Sequence, residues 1–351
     1  MQQRPLPRAP CVWRPPHNSA STSTAVARPG DDAAMDTIGS PLILVRSLDG
    51  TEDTRQTHAR AASRGHETRV APGAYVEAAA WRALDPREQY LLRVRAVAET
   101  RRNRPVLSHW SAAAVHGLPQ LGRWPTEVHI TIGRTAGGRS HNGVTKHSLP
   151  LRNEDVVEID GMLLTSVART VVDLAAVTSF VSAVAVADRA LWVDRRGRVH
   201  PLADRERIDD AYVGRGRFIG FARARAAIDF GVSLADSAFE SVSRVNMWRI
   251  GCPRPILQSS FNDYRGRIGE TDFDWPDFSL VGEADGRTKY LDPLLRAGRT
   301  LEQVLLREKD RGDRLQGIGR RVSRWGWATG VNPDALRRHL VAAGLPMGQR
   351  W

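Results

Sequence analysis

The chain has 351 residues, of which 41% are hydrophobic and 26% charged; that exceeds one typical domain and supplies apolar material for two or three cores. The net charge of +12 comes almost wholly from arginine, because lysine stands only at Lys146, Lys289 and Lys309. Two cysteines, Cys11 and Cys252, exclude a disulfide framework and a cysteine-based zinc site, and no run approaches the roughly 18 apolar residues that cross a membrane.

A basic balance of this size favours a polyanionic partner, DNA foremost, through phosphate contacts and counterion release. An Arg-rich, Ala-rich, Lys-poor composition also follows from GC-rich coding sequence, so charge alone does not select the partner. The cysteine usage suits a reducing cytoplasm.

Residues 1–35 are rich in Pro, Ser, Thr and Ala and lack an apolar signal-peptide core. They read as a disordered tail, with Met35 a second candidate start. TRQTHARAASRG (54–65) predicts a short helix ended by Gly65, and ETRVAPGAYV (67–76) predicts strand, Pro-Gly turn, strand. A helix followed by a hairpin is the end of a winged helix-turn-helix. Asp85 as N-cap, Pro86 in the first turn and Glu88 at the capping-box position open the next helix.

Ser108 is placed to cap a short Ala-rich helix that Gly117 and Pro119 stop. Strand patterns follow at 127–133, 143–151 and 155–166, with Asp160-Gly161 as a hairpin turn. Residues 167–191 predict a core helix or helix pair, because Arg169, Asp173, Asp188 and Arg189 interrupt an apolar run. Residues 192–216 read as a charged surface loop or linker. His109 and His116, seven apart on an Ala-rich helix, read as core histidines rather than ligands.

The stretch 237–290 carries the chemistry. A helix bearing Glu240 and Arg244 ends at Gly251 and Pro253, and three strands follow, PILQSSFND, ETDFDW and FSLVGEADG. Asp272 and Asp274 lie two apart and share a strand face; Glu283 and Asp285 do the same on the next strand. Such close carboxylates repel and resist burial, and a hard dication held by oxygen ligands, Mg2+ or Mn2+, removes the conflict. The alternative is a set of solvated hairpin carboxylates, with Asp274 and Asp277 as turn formers.

The order E…R, DFDWP, LVGEADGRTKY resembles the very-short-patch-repair-like branch of the PD-(D/E)XK nuclease superfamily, over about Ser237 to Trp327. The resemblance implies a restriction-endonuclease-like α/β domain with a mixed sheet. It implies Glu240 as the helix carboxylate that orients water or metal, Asp272 as the central metal ligand, Glu283 as the second, and Asp274 as a further candidate. Asp285 stands where the superfamily has its E-x-K lysine, so Lys289 or Lys309 must supply that charge. LEQVLLREKDRGDRLQGIG followed by RRVSRWGWA resembles the family's basic helix and terminal strand. Arg307 and Arg311 would then face the phosphate backbone; the alternative is an ordinary ion-paired helix.

From about Thr54 to Leu191 the layout resembles the AbiEi-like antitoxins of type IV toxin–antitoxin systems, with RVAPGAYV as the wing. That implies sequence-directed DNA binding, with Arg55, Arg60, Arg64 and Arg69 on phosphates or in the major groove, and a cognate toxin protein as a second partner. The alternative for these arginines is a solvated basic face. The expected chain is thus a multidomain α/β and α+β protein: an antitoxin-like region over 36–191, a linker, and a nuclease-like domain over 217–345. Three functions fit: a DNA-binding, metal-dependent endonuclease; a non-catalytic antitoxin-like transcriptional regulator with an inactive nuclease fold; and a toxin-neutralising scaffold.

Overall fold

The computed structural model describes residues 41–45, 51–101, 103–133, 140, 142–195, 197–285 and 300–351. The expected tail over 1–35 and the candidate Lys289 lie outside them. The described chain is mixed α/β, with three sheets.

The first sheet holds β1 (Leu42–Leu44), β2 (Glu67–Ala71) and β3 (Ala74–Glu77), antiparallel in the order β1-β3-β2. Pro72 and Gly73 close its hairpin, and Gly73 takes a φ of +77° that other residues rarely adopt. Helix α1 (Glu52–Ser63) starts two residues earlier than the sequence suggests, because Thr51 caps it by accepting from the Thr54 amide at 3.2 Å. Its inner face presents Thr54, His58, Ala61 and Ala62, and His58 lies 3.0 Å from the Glu67 carboxylate. The strand β1 was not foreseen.

After α2 (Ala78–Ala83) comes α3 (Pro86–Thr100), with the expected capping box: Asp85 accepts from the Glu88 amide at 2.8 Å, and Glu88 accepts from the Asp85 amide at 2.7 Å. The second sheet, β4 (Val106–Leu107), β5 (Val128–Ile132), β6 (Val144–Ser148), β7 (Val156–Ile159) and β8 (Met162–Thr165), runs in the order β6-β5-β4-β8-β7. Between β4 and β5 lies α4 (His109–Val115).

The apolar run after β8 is a helix pair, α5 (Val167–Val177) and α6 (Phe180–Leu191), broken at Thr178 where Ser179 caps the second helix. The segment expected as a surface loop or linker instead carries the whole of α7 (Arg205–Gly214). This helix buries Ile208, Ala211 and Tyr212 against α5, α6 and α8 (Phe221–Phe230). Apolar residues spaced three and four apart inside a charged run give a helix with one buried stripe. Val245 of α9 (Ala238–Arg249) joins the same core, so the bundle runs continuously into the C-terminal third.

There, β9 (Ile256–Asp263), β10 (Gly266–Trp275) and β11 (Leu280–Asp285) form an antiparallel meander. After α10 (Leu301–Gly317), β12 (Arg321–Gly326) adds parallel to β11. The sheet order is β12-β11-β10-β9 and it is mixed, as expected. One face buries Phe273, Trp275 and Trp325 against Phe239 of α9; the other buries Phe261 and Val281 against Leu315 of α10. The last strand stops at Gly326 rather than running through Ala328. Trp327 opens the short helix α11 (Trp327–Gly330), and α12 (Pro333–Ala342) seals the first face with Leu336 and Leu340. Trp325 is a core residue, whereas Trp327 is half exposed beside Phe239.

Candidate carboxylate site and basic face

Strand alternation puts Asp272, Asp274, Glu283 and Asp285 on the face of the sheet that carries α10, because Phe273, Trp275 and Ala284 take the opposite core. Glu240 enters from the N-terminus of α9. Its carboxylate is 7% exposed and fully engaged: Oε2 accepts from the Asp236 amide and from Gln258 Nε2, both at 2.9 Å, and Oε1 accepts from Ser237 Oγ at 2.8 Å. Burial first, and the neighbouring Asp272 charge second, push the Glu240 carboxyl up to about 8, against the hydrogen bonds that favour its anion. Asp272 Oδ2 accepts from the Ala284 amide at 2.8 Å, which ties β10 to β11 at this point.

The second acid pair has different partners. Glu283 is 5% exposed, with Arg311 Nη1 of α10 at 2.6 Å and Arg324 Nε of β12 at 3.2 Å. Asp285 lies 3.9 Å from the same Arg324 nitrogen. Asp274 is buried beside Arg320 at 3.2 Å, and burial raises its carboxyl above the usual range despite that arginine. The four strand carboxylates share a face, and the β10–β11 register sets Asp272 across from Glu283. Among the described residues no group of three or more His, Cys, Asp and Glu side chains converges so as to hold a metal ion. Arginine guanidinium groups lie against Glu283, Asp274 and Asp285.

Arg311, expected on a phosphate, is turned to the sheet: it serves Glu283 and also donates to the Glu270 carbonyl. Arg307 and Lys309 are exposed. Gln258, Arg320 and Arg324 belong to the site and were missed by the sequence reading. The available signal was the placement of Arg324 directly opposite Glu283 in the parallel β11–β12 register, which needs the pairing to be known.

At the other end of the described chain, the outer face of α1 carries Arg55 and Arg60, Arg64 caps it, and Arg69 lies on β2; all four are exposed. Arg60 reaches Gln56 at 3.2 Å, and Arg55 lies 3.7 Å from Glu52, an exposed pair worth little in water. Arg55 and Arg69 flank a hollow of about 490 Å³ between α1 and the hairpin.

The histidines behave otherwise. His116 Nε2 lies 2.8 Å from the Thr165 carbonyl oxygen. His109 is 2% exposed at a φ of +50°, and its ring stacks on His147 at 3.6 Å; His147 in turn meets His129 at 2.9 Å. Ser108 gives no side-chain cap to α4 and instead lies 3.0 Å from His109 Nδ1.

Comparison with family models, characterised proteins and solved structures gave no match to this chain.

Proposed function

We propose that this protein is a nucleic-acid-binding regulator. Its C-terminal domain resembles a restriction endonuclease in layout and has its strand carboxylates neutralised by arginine rather than by metal. The observation that carries the binding reading is the exposed arginine set on one helix–hairpin unit, Arg55, Arg60 and Arg64 on α1 with Arg69 on β2. A helix of this kind beside a β-hairpin matches a winged-helix geometry, in which the helix enters the major groove and the wing follows the backbone. The mixed four-stranded sheet flanked by helices agrees with the nuclease-like layout. The Arg311–Glu283–Arg324 cluster favours the non-catalytic form of that layout.

A second reading, a metal-dependent endonuclease that hydrolyses phosphodiester bonds, is favoured by the Glu240–Asp272 pair, whose mutual repulsion a dication would relieve. Two assays on the full chain separate the readings. In the first, anisotropy of a labelled duplex compares wild type with the variant Arg55→Ala/Arg60→Ala/Arg64→Ala. The regulator reading expects roughly tenfold or greater loss of binding in the variant; equal affinity would remove it. In the second, supercoiled plasmid is incubated with Mg2+ or Mn2+. No nicking is expected. Nicking abolished by Asp272→Ala would replace the first reading with the second.

A further inference from the structure

A cleft of about 630 Å³ opens where the helical bundle meets the start of β9, walled by Leu191, Val232, Arg244, Arg254, Leu257 and Trp351 among others. Its volume lies within the roughly 300–1,000 Å³ typical of small-molecule sites. The walls are mainly apolar, and one is a fixed aromatic surface. Trp351 Nε1 donates to the Cys252 carbonyl at 2.6 Å, and the ring stacks on Phe230 with centroids 5.9 Å apart and planes within 4°.

The polar groups on the wall leave a surplus of positive charge. Arg254 sits between Pro253 and Pro255, which preset the backbone around it. Its side chain is exposed and makes no hydrogen bond or ion pair among the described residues. Arg205 donates to the carbonyls of Ile228 and Gly231 and has no ion-pair partner among the described residues. Arg244 is neutralised by Asp188 at 2.9 Å, yet its buried Nε has no hydrogen-bond partner. The side-chain carboxylate on the wall, Asp204, is engaged by the Arg207 amide at 2.8 Å and by the Arg207 guanidinium at 3.4 Å.

From an apolar cleft with an indole wall and a cation at its edge we infer a binding site for a small aromatic carboxylic acid. Its ring lies against Trp351 and Leu257, and its carboxylate is received by Arg254. Arg244 on the wall stands one helical turn after Glu240 on α9. The inference does not rest on the nucleic-acid reading.

Isothermal titration of the full chain with benzoate, 2-naphthoate and indole-3-acetate tests it, with uncharged 2-naphthalenemethanol as the matched control. At least one acid is expected to bind at one site, and the alcohol about tenfold or more weaker than 2-naphthoate. Arg254→Ala is expected to weaken the acid about tenfold and leave the alcohol unchanged, as for a charge-assisted hydrogen bond. Arg254 is exposed, so the variant removes no packed group, and the acid–alcohol comparison needs only wild type. No saturable binding of any acid at millimolar concentration would overturn the site, as would equal affinity for acid and alcohol or an Arg254→Ala variant that binds like wild type.

Discussion

The three stacked histidines give this protein a pH dependence that no single residue would reveal. Burial, with the neighbouring cations adding to it, lowers His109 well below its usual range; His147 falls to about 4 and His129 is also lowered, both chiefly through burial. In the unfolded chain each takes up a proton near pH 6.5. Between pH 6.5 and 4 the unfolded state therefore binds more protons, and stability falls as pH falls. Glu240 acts in the opposite sense: its folded carboxyl is raised to about 8, so its contribution is present at low pH and lost as pH rises through that value. Comparison with a variant isolates the histidine effect. Melts of wild type and His147→Gln from pH 7 to 4.5 are expected to show a shallower loss in the variant, by up to about 1.4 kcal/mol per pH unit. Parallel curves would mean that His147 titrates freely in the fold. The spacing of His109 and His116 was legible, and both are satisfied inside the structure. The partners of His109 were not, because His129 and His147 reach it only once β5 and β6 pair beside α4.

At the scale of elements, the capping box of α3, the Pro-Gly hairpin, and the meander of β9, β10 and β11 follow from local rules, and they formed where the sequence placed them. Local rules failed at the segment before α8, where charge density outweighed the apolar spacing of Ile208, Ala211 and Tyr212. They also failed at Gly282, which the sequence offers only as a glycine between Val281 and Glu283. A Cβ there would stand 2.7 Å from the Trp325 ring and 2.9 Å from the Trp275 ring, so β11 can lie between two indoles only without a side chain. Gly282→Ala is expected to destabilise by about 1–3 kcal/mol through overpacking, read as a lower urea midpoint with an unchanged slope. A midpoint equal to wild type would show that the indoles move aside without cost.

Across the whole molecule, the 51 lysines and arginines overstate the number of cations free to meet a polyanion. Arg152, Arg169, Arg244, Arg311, Arg314 and Arg324 each hold a carboxylate inside the fold. If binding runs through Arg55, Arg60, Arg64 and Arg69, the logarithm of affinity should fall with the logarithm of salt at a slope of about −3 to −4. A slope near −10 would instead place the contact over a much larger basic surface than that helix and hairpin. Among the described residues no helix is long and apolar enough to cross a membrane.

The sequence by itself determined the capped start of α3, the hairpins, the mixed α/β class and the placement of four strand carboxylates on one face. All of these follow from capping chemistry and from periods of 3.6 and 2 residues. Tertiary structure decided what those carboxylates meet. Arg311 comes from a helix 28 positions beyond Glu283, and Arg324 comes from a strand that pairs in parallel only after that helix crosses back. Two like charges on one strand create a demand for a cation that spacing makes visible. Whether a metal or a guanidinium answers it depends on contacts between segments distant in the chain, and those exist only in the folded protein.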